Sequence, residues 1–408
     1  METSSGRGGA ASGGAGELVV GYLLLAVMVA TGLPTPLYPL YKQRLGLSSL
    51  DITAVYGVYA IVVLIVLLVA GGLSDRVGRR RVLVIAVATT AVGEIVLLAA
   101  PTLAGLYVGR VLTGVSTGLV LGSATAYLTE LAGPGRARRA AATAVVANLG
   151  GQAVGTALAG VCARFLAAPL HTPYLVGLVM LTPVALLWMR RVPETVTNTG
   201  GWRPGLGLRS LGIPTVVRAQ FLATAAALVA AFSLLGFLTA LTGAILAERT
   251  NHPGGLVVGL VTAGLFTSAA LTQLSIPERT FGRAGAAALA VLPLAAVVLA
   301  LADLARSLLI LLVAVFLTGS VVGVTLRAGI GSVLERCPTG RRGQVGSALF
   351  IAVYAGASVP TIAAGLVATL AGLTAAVLSL GAFVIALAVG AAAISLRASR
   401  HSPSRQEP

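Results

Sequence analysis

The sequence predicts an all-α membrane protein with twelve transmembrane helices arranged in two pseudo-symmetric six-helix halves. Of its 408 residues, 57% are hydrophobic and 10% are charged, and the mean hydropathy is +0.97. Soluble domains carry about 25% charged residues, so the composition alone places this chain in a bilayer. Twelve apolar stretches approach the roughly 20 residues that a helix needs to cross the hydrocarbon core. A polar gap separates the first six from the last six, which predicts the two halves.

The apolar stretches set the domain boundaries. The predicted spans of the first half are 17–41, 50–70, 82–100, 104–128, 141–165 and 173–190. Those of the second half are 216–244, 254–275, 284–302, 307–331, 344–368 and 372–396. The halves are therefore 17–191 and 216–396, joined by a cytoplasmic linker at 192–215. Residues 1–16 predict a disordered tail, because a cleavable signal would need a basic start and a short apolar core, and residues 397–408 predict a cytoplasmic tail.

The distribution of basic residues predicts the orientation. The formal net charge of +16 would suggest a nucleic-acid partner in a soluble protein, but here the charges lie mostly between the spans. With the amino terminus inside, 21 of the 28 basic residues lie on the cytoplasmic side and five lie outside. Cytoplasmic loops carry the excess of Lys and Arg. We therefore expect a multi-pass protein of the plasma membrane with both termini cytoplasmic and no nucleic-acid partner.

The two halves align with each other when the numbering is shifted by 205. The run 112–114 then meets the identical run 317–319, and Glu130 meets Glu335. Further coincidences are Gly118 with Gly323, Arg136 with Arg341, Gly151 with Gly356 and Gly160 with Gly365. These spaced matches, which include an acidic residue at the end of a span, predict a duplicated six-helix unit.

The turn between the second and third spans is short, charged and rich in glycine. Residues 71–80 read Gly-Gly-Leu-Ser-Asp-Arg-Val-Gly-Arg-Arg between two apolar runs. This G-x-x-x-D-R-x-G-R-R pattern resembles the loop signature of the major facilitator superfamily of transporters. Asp75 beside arginines offers charge-assisted contacts that could lock one conformation. The resemblance implies a conformational loop motif formed by Gly71, Asp75, Arg76, Gly78, Arg79, Arg80 and, at the end of the fourth span, Glu130.

Four further runs resemble patterns of the same superfamily. Residues 110–118 are similar to an R-x-x-x-G motif in the fourth span that is linked to proton coupling. Residues 151–160 are similar to the antiporter motif of drug exporters, with threonine and alanine where that motif has proline and glycine. Residues 36–39 resemble a proline pair of twelve-span drug exporters, and 193–195 resemble a P-E-T ending common across the superfamily. Together these runs resemble bacterial twelve-span drug:proton antiporters.

Small residues at four-residue spacing in the fourth and fifth spans allow close helix approach. The predicted packing glycines are Gly114, Gly118, Gly151, Gly155 and Gly160. The residues alone leave two interpretations open, which are plain packing contacts and contacts at which the spans rock during transport.

Glu94 and Arg110 are charged residues inside predicted spans. A charge at a helix centre costs at least about 2.5–3.5 kcal/mol on the insertion scale, so it needs a partner or water. Both lie eight residues from position 102, where the third and fourth spans join, and therefore at one depth. We expect an ion pair that takes part in proton coupling. A static structural pair, no contact, or snorkelling of Arg110 to the outer interface are the alternatives.

Glu130 and Glu335 end the fourth and tenth spans at the cytoplasmic face. The helix dipole disfavours a carboxylate at a helix C-terminus, so each is expected to have an arginine partner. Arg76 or Arg79 is the candidate for Glu130, and Arg283 for Glu335. Plain solvation at the interface is the alternative.

The resemblance implies a substrate cavity between the halves that is lined by the second, fifth, eighth and eleventh spans, and the sparse polar residues of these spans are the candidate lining. They are Tyr56, Tyr59, Asn148, Gln152, Gln273 and Tyr354. A cavity of tyrosines, amides and aliphatic groups suits amphiphilic organic molecules better than sugars, which need many hydrogen-bond partners.

Several chemistries are excluded by the sequence. All three histidines lie in loops or the tail, and the chain has no G-x-x-x-x-G-K-[ST] pattern, so neither an intramembrane metal site nor ATP hydrolysis is expected. We expect no metal, no other cofactor and no enzyme activity. The expected function is proton-driven efflux of hydrophobic or amphiphilic small molecules by a monomer in the lipid bilayer. Uptake or facilitated diffusion of a small organic nutrient is the alternative, and a membrane sensor or enzyme is a rival of another class.

Overall fold

The computed structural model describes residues 6–70, 72–133, 135–183, 192–196, 213–249 and 254–400, without the side chains of residues 6–15, 249, 339 and 398–400. Within these ranges the chain forms helices joined by short turns, and it contains no strand. Helices suit a bilayer because they satisfy every backbone N–H and C=O group within one segment.

The first part of the chain forms nine of the described helices. They are α1 (Gly6–Gly32), α2 (Tyr38–Leu45), α3 (Ser49–Ala70), α4 (Leu73–Val77), α5 (Arg79–Ala99), α6 (Leu103–Ala132), α7 (Ala137–Val145), α8 (Gly151–Phe165) and α9 (Thr172–Pro183). Pro34 and Pro36 lie in the break between α1 and α2, because proline lacks the N–H that a helix interior needs. A π-helical stretch, Val146–Gly150, joins α7 to α8.

The second part forms the other described helices. They are α10 (Thr215–Arg249), α11 (Gly255–Ser275), α12 (Phe281–Ala305), α13 (Leu308–Val324), α14 (Ile330–Arg336), α15 (Arg342–Ala371) and α16 (Leu373–Arg400). A second π-helical stretch, Thr325–Gly329, joins α13 to α14. Such π-helical turns are rare and occur frequently at functional sites.

Eleven helical stretches among the described residues are long and apolar enough to cross a membrane. The pairs α1 with α2, α7 with α8 and α13 with α14 each form one stretch. Helix α9 is apolar but shorter, and the sixth predicted span is described only as far as Pro183. The protein is therefore an all-helical, multi-pass membrane protein, as predicted, and the number twelve stays a prediction.

The fold divides into two compact units. Unit 1 comprises Met1–Leu47, Val58–Gly207 and His252–Ala270, and unit 2 comprises Ser48–Gly57, Leu208–Asn251 and Leu271–Pro408. The core of unit 1 lies among buried aliphatic side chains of α1, α5, α6 and α7. The core of unit 2 lies among α10, α14 and α15. The division into halves at 192–215 stays a prediction.

Helix starts recur at the shift that aligns the two halves. Helices α6 and α13 both begin after an N-cap residue, Thr102 and Ser307, whose side chain accepts the N–H three residues further on. Helices α7 and α15 also begin 205 residues apart, at Ala137 and Arg342, but without a side-chain cap. Hydroxyl N-caps define where a helix starts, so this recurrence supports the predicted internal repeat.

The amino-terminal tail differs from the expectation. Helix α1 begins at Gly6, so the backbone of residues 6–15 is helical where 1–16 is predicted to be disordered. Once a helix exists, each further residue adds a hydrogen bond without a new nucleus, so the spanning helix extends into this Gly- and Ala-rich segment. Gly71 and most of the linker 192–215 lie outside the described residues, as does the tail beyond Arg400.

Candidate functional site

Gly78 forms the turn between α4 and α5. Its φ is +111°, a conformation that residues with a Cβ rarely adopt, and a Cβ there would collide with the Glu194 carboxylate. Only glycine combines this backbone freedom with so close an approach. Gly78 therefore fixes the direction in which α5 leaves the loop.

Arg79 is the centre of a charged network at this turn. Its guanidinium forms an ion pair with Asp75 and donates hydrogen bonds to Ser74 Oγ at 2.6 Å and, from Nη2, to Glu130 Oε1 at 2.9 Å. The Arg79 side chain is largely buried, whereas Asp75 is 60% exposed. Of the two arginines considered for Glu130, Arg79 is therefore in contact with it, and Arg76 is exposed.

Glu194 is absent from the predicted site residues, although the P-E-T resemblance contains it. Its carboxylate accepts the backbone N–H groups of Arg79 at 2.8 Å and Arg80 at 3.1 Å. These are the first N–H groups of α5, which have no partner inside the helix and carry the positive end of its dipole. The neighbouring Thr195 hydroxyl donates to Glu130 Oε2 at 2.5 Å. The segment after the sixth predicted span thus joins the loop network.

We expect Asp75→Asn to leave expression and thermal stability unchanged but to slow transport. An exposed ion pair contributes only about 0–1 kcal/mol to stability, yet it holds Arg79 in this arrangement. The measurement is initial transport rate at matched expression, with the exposed neighbour Arg81→Gln as the control for a nearby charge change. Equal rates in Asp75→Asn and the wild type would show that Asp75 is only a solvated surface charge.

Arg110 is buried inside unit 1 and turns toward α1. Its side chain is 1% exposed, and it donates to the Thr31 carbonyl and to the Tyr38 hydroxyl, both at 3.0 Å. The guanidinium carbon lies 5.5 Å from the ring centres of both Tyr38 and Tyr59, which is within cation–π range. This inward position contradicts the snorkelling alternative.

Glu94 is buried in the same unit and turns toward α9. It is 0% exposed, and neither carboxyl oxygen has a hydrogen-bond partner. Gly177 makes room for it, because a Cβ at that glycine would lie 2.9 Å from Oε2. The hydroxyl groups of Tyr41 and Tyr174 lie 3.1 Å apart, and both residues are buried in the same unit as Glu94.

The expected ion pair between Glu94 and Arg110 is not formed in this structure. No carboxylate among the described residues lies within ion-pair distance of the guanidinium, and the Glu94 carboxyl group has no hydrogen-bond partner. An equal count of residues from the turn predicts equal depth, but it does not predict the direction in which each side chain points around its helix axis. The two side chains diverge, and two chargeable groups stay buried without direct contact.

Two of the predicted packing glycines lie on α6 where it crosses α3. A Cβ at Gly114 would lie 2.9 Å from the carbonyl oxygen of Tyr59, and one at Gly118 would lie 2.7 Å from Val66 Cβ. Larger residues at either position would push the two helices apart.

The other three packing glycines lie on α8. A Cβ at Gly151 would lie 2.8 Å from the Leu25 carbonyl oxygen of α1, and Gly155 faces the same helix one turn further along. Gly160 faces α11 instead, where a Cβ would lie 2.9 Å from the carbonyl oxygen of Gly255. Helix α8 therefore packs closely against two helices of unit 1 along one glycine series.

The candidate cavity residues are divided between the two units. Unit 1 holds Tyr59, Asn148 and Gln152, and unit 2 holds Tyr56, Gln273 and Tyr354. The tyrosines of α3 are buried and the remaining four side chains are half-buried. A shared substrate cavity stays a prediction. Among the described residues, no group of three or more His, Cys, Asp or Glu side chains comes together that could hold a metal ion.

A family model described as the Major Facilitator Superfamily matches residues 20–359 of this chain. The chain belongs to this superfamily. It is 30% identical over 182 residues to the 3-(3-hydroxy-phenyl)propionate transporter of Escherichia coli. This alignment covers 44% of each chain. It is 23% identical over 113 residues to the quinolone resistance protein NorA of Staphylococcus aureus, covering 28% of this chain and 29% of that protein. These alignments span less than half the length of the curated relatives.

Solved transporter structures share the fold. A variant of the peptide transporter POT has a TM-score of 0.74 at 15% identity, covering 94% of this chain and 95% of the other. The nucleoside transporter NupG has a TM-score of 0.71 at 14% identity, covering 93% and 99%. At such identities the likeness concerns the fold alone.

Proposed function

We propose that this superfamily member is a proton-coupled transporter that exports hydrophobic or amphiphilic small molecules from the cytoplasm by alternating access. The observation that carries the proposal is the Glu94 carboxyl group, which is buried inside unit 1 without a hydrogen bond, in the same unit as the buried Arg110. The protein would act as a monomer in the plasma membrane, with both termini cytoplasmic, and its partners would be lipid, substrate and protons.

The environment of Glu94 fits a residue that carries a proton. An ionised carboxylate buried without hydrogen bonds or an ion partner is costly, so the neutral acid fits the present conformation. A shift of α5 that brings the carboxyl group to water or to Arg110 would favour the anion and release the proton from its oxygen. Arg110 would then stabilise the carboxylate that remains. Proton release would thus be tied to a change of conformation.

Export is supported by the glycine series of α8 and by two relatives. NorA is named as a quinolone resistance protein, and an Aspergillus fumigatus relative, 33% identical over 92 residues, is named as a multidrug transporter. The close packing of Gly155 and Gly160 lies in the run that is similar to the antiporter motif of drug exporters.

Uptake is the second candidate function. It is favoured by relatives named as proton symporters, for citrate in Klebsiella pneumoniae and for arabinose in Bacillus subtilis. The longest of the reported alignments is with the Escherichia coli 3-(3-hydroxy-phenyl)propionate transporter. A substrate of that kind would be a small aromatic acid.

A growth and accumulation panel distinguishes the two functions. The chain is expressed in a bacterial host that lacks its main drug pumps, with and without an uncoupler. Export predicts lower accumulation of lipophilic dyes and drugs, and the uncoupler abolishes this difference. Unchanged dye accumulation together with uncoupler-sensitive uptake of 3-(3-hydroxyphenyl)propionate would instead support the second function.

Cysteine labelling tests the proposed orientation. In a chain carrying Cys162→Ala and Cys337→Ala, both of which replace buried thiols, single cysteines are introduced at the exposed positions Ala104 and Ala137. We expect a membrane-impermeant maleimide to reach Ala104→Cys only from outside and Ala137→Cys only from the cytoplasm. Reversed labelling would overturn the orientation and the cytoplasmic position of the loop network.

A further inference from the structure

The start of α7 presents three arginines on the outside of unit 1. Arg136, Arg138 and Arg139 are all exposed, and they lie within one helical turn of each other. The spanning stretch that follows, residues 137–165, contains no aspartate or glutamate. We call these three residues the α7 arginine cluster. It takes no part in the loop network around Arg79 or in the site of Glu94 and Arg110.

Carboxylates of the chain do not neutralise this cluster. Among the described residues, none lies within ion-pair distance of Arg136 or Arg138. Arg139 Nε lies 3.7 Å from Oε2 of the buried Glu17, which is beyond hydrogen-bond distance, and the Arg139 side chain stays 67% exposed. The start of a helix is also the positive end of its dipole, where an anion is stabilising and a cation is not. An anion from outside the chain would therefore stabilise the cluster.

Helix α5 shows how the same chain neutralises a cationic helix start from within. Residues 79–81 are also three arginines. There Glu194 accepts the first two N–H groups of the helix, and Asp75 and Glu130 both pair with Arg79. At the start of α7, no carboxylate among the described residues takes either role.

The cluster lies where a membrane-spanning stretch begins. Ala137–Phe165 has 29 residues, which is about 44 Å along a helix and matches the roughly 40–45 Å thickness of a bilayer with its headgroups. Its start therefore lies among the headgroups. Further along the stretch, Val146, Val154 and Val161 are exposed, as suits contact with acyl chains. A phospholipid supplies both an anionic phosphate group at the cluster and apolar chains beside the valines.

We propose that the α7 arginine cluster is a binding site for the phosphate group of an anionic phospholipid. The guanidinium groups would donate hydrogen bonds to the phosphate oxygens, and the acyl chains would lie along the exposed valines. The lipid would occupy the leaflet that contains the start of α7. Binding requires neither a proton nor a transported substrate, so this site stands or falls independently of the proposed function.

The test uses the full chain, purified in detergent, and native mass spectrometry of bound lipid. Phosphatidylglycerol is compared with phosphatidylcholine of identical acyl chains, because only the first carries a net negative charge. Each arginine near an anionic lipid contributes about fivefold to binding, so the first phosphatidylglycerol should bind about a hundredfold more tightly than phosphatidylcholine. Equal binding of the two lipids would overturn the proposal without any variant. Displacement of the lipid by inorganic phosphate would also overturn it, since the site would then belong to a free anion.

Variants locate the site. A chain that carries Arg136→Gln, Arg138→Gln and Arg139→Gln together should lose the preference for phosphatidylglycerol, and Arg138→Gln alone should weaken phosphatidylglycerol binding about fivefold. The matched control lowers the net charge by the same amount in unit 2, by changing to glutamine the exposed residues Arg218, Arg279 and Arg283. The control should keep the preference of the wild type. An undiminished preference in the α7 variant, or an equal loss in the control, would overturn the proposal and leave only a general attraction between a basic chain and anionic lipid.

Discussion

Replacing Glu94 with glutamine is expected to abolish uphill transport while exchange of substrate down its own gradient continues. The amide has nearly the same shape as the neutral acid that fits the buried position, so the fold should tolerate it with a change in stability below about 1 kcal/mol. The amide cannot take up or release a proton, so the proton cycle stops. The measurement is transport of an identified substrate in reconstituted liposomes, with and without a pH gradient.

Glu94→Asp is the matched control for this change. It keeps the ionisable group but draws it back by one methylene, so it should retain part of the gradient-driven rate. Full gradient-driven transport by Glu94→Gln would remove Glu94 as the coupling acid. Coupling would then rest on another carboxylate, and Asp75 and Glu130 in the loop network are the nearest candidates.

Arg110→Ala is expected to reduce gradient-driven transport to the level of empty liposomes. The change removes the cation that would stabilise ionised Glu94, and it leaves the Thr31 carbonyl and the Tyr38 hydroxyl without their donor. Each buried group left unsatisfied costs about 1–3 kcal/mol, so the variant should also unfold at a lower temperature. Transport assays and thermal unfolding of the purified protein check the two effects.

Two further variants separate charge from packing at this position. Arg110→Lys keeps the charge but loses the planar donor geometry, and Tyr38→Phe keeps the ring but removes the acceptor hydroxyl. If the charge matters for coupling, Arg110→Lys should retain measurable gradient-driven transport and Arg110→Ala should not. If Arg110→Lys and Arg110→Ala lose gradient-driven transport equally and their unfolding temperatures fall equally, Arg110 has only a structural role.

Composition and hydropathy were sufficient to predict an all-helical membrane protein, because about 20 apolar residues have few other stable arrangements in lipid. The start of α6 after Thr102 and of α13 after Ser307 follows from the same N-cap chemistry in both halves. The π-helical stretches Val146–Gly150 and Thr325–Gly329 could not be predicted, because the spans are apolar on most faces and a change of helical phase leaves no signal in their hydropathy.

Candidate site residues could be chosen from the sequence, but their contacts could not be predicted from it. Sequence placed Glu94 and Arg110 at one depth, but the direction of each side chain depends on the neighbours that tertiary packing provides. Glu17 shows the same limit, because it reads as the start of a span and yet is buried, 3.7 Å from Arg139. The cap that Glu194 gives to α5 joins residues 115 positions apart, which no local pattern reveals.

The central claim, proton-coupled export, is tested most directly by proton movement in liposomes that contain the wild-type protein and a trapped pH-sensitive dye. Addition of a substrate identified in the accumulation panel should drive protons across the membrane in the direction opposite to the substrate. The same addition to liposomes with Glu94→Gln should move substrate but no protons. Substrate movement by the wild type without any accompanying proton movement would contradict proton coupling, and proton movement in the same direction as the substrate would contradict antiport.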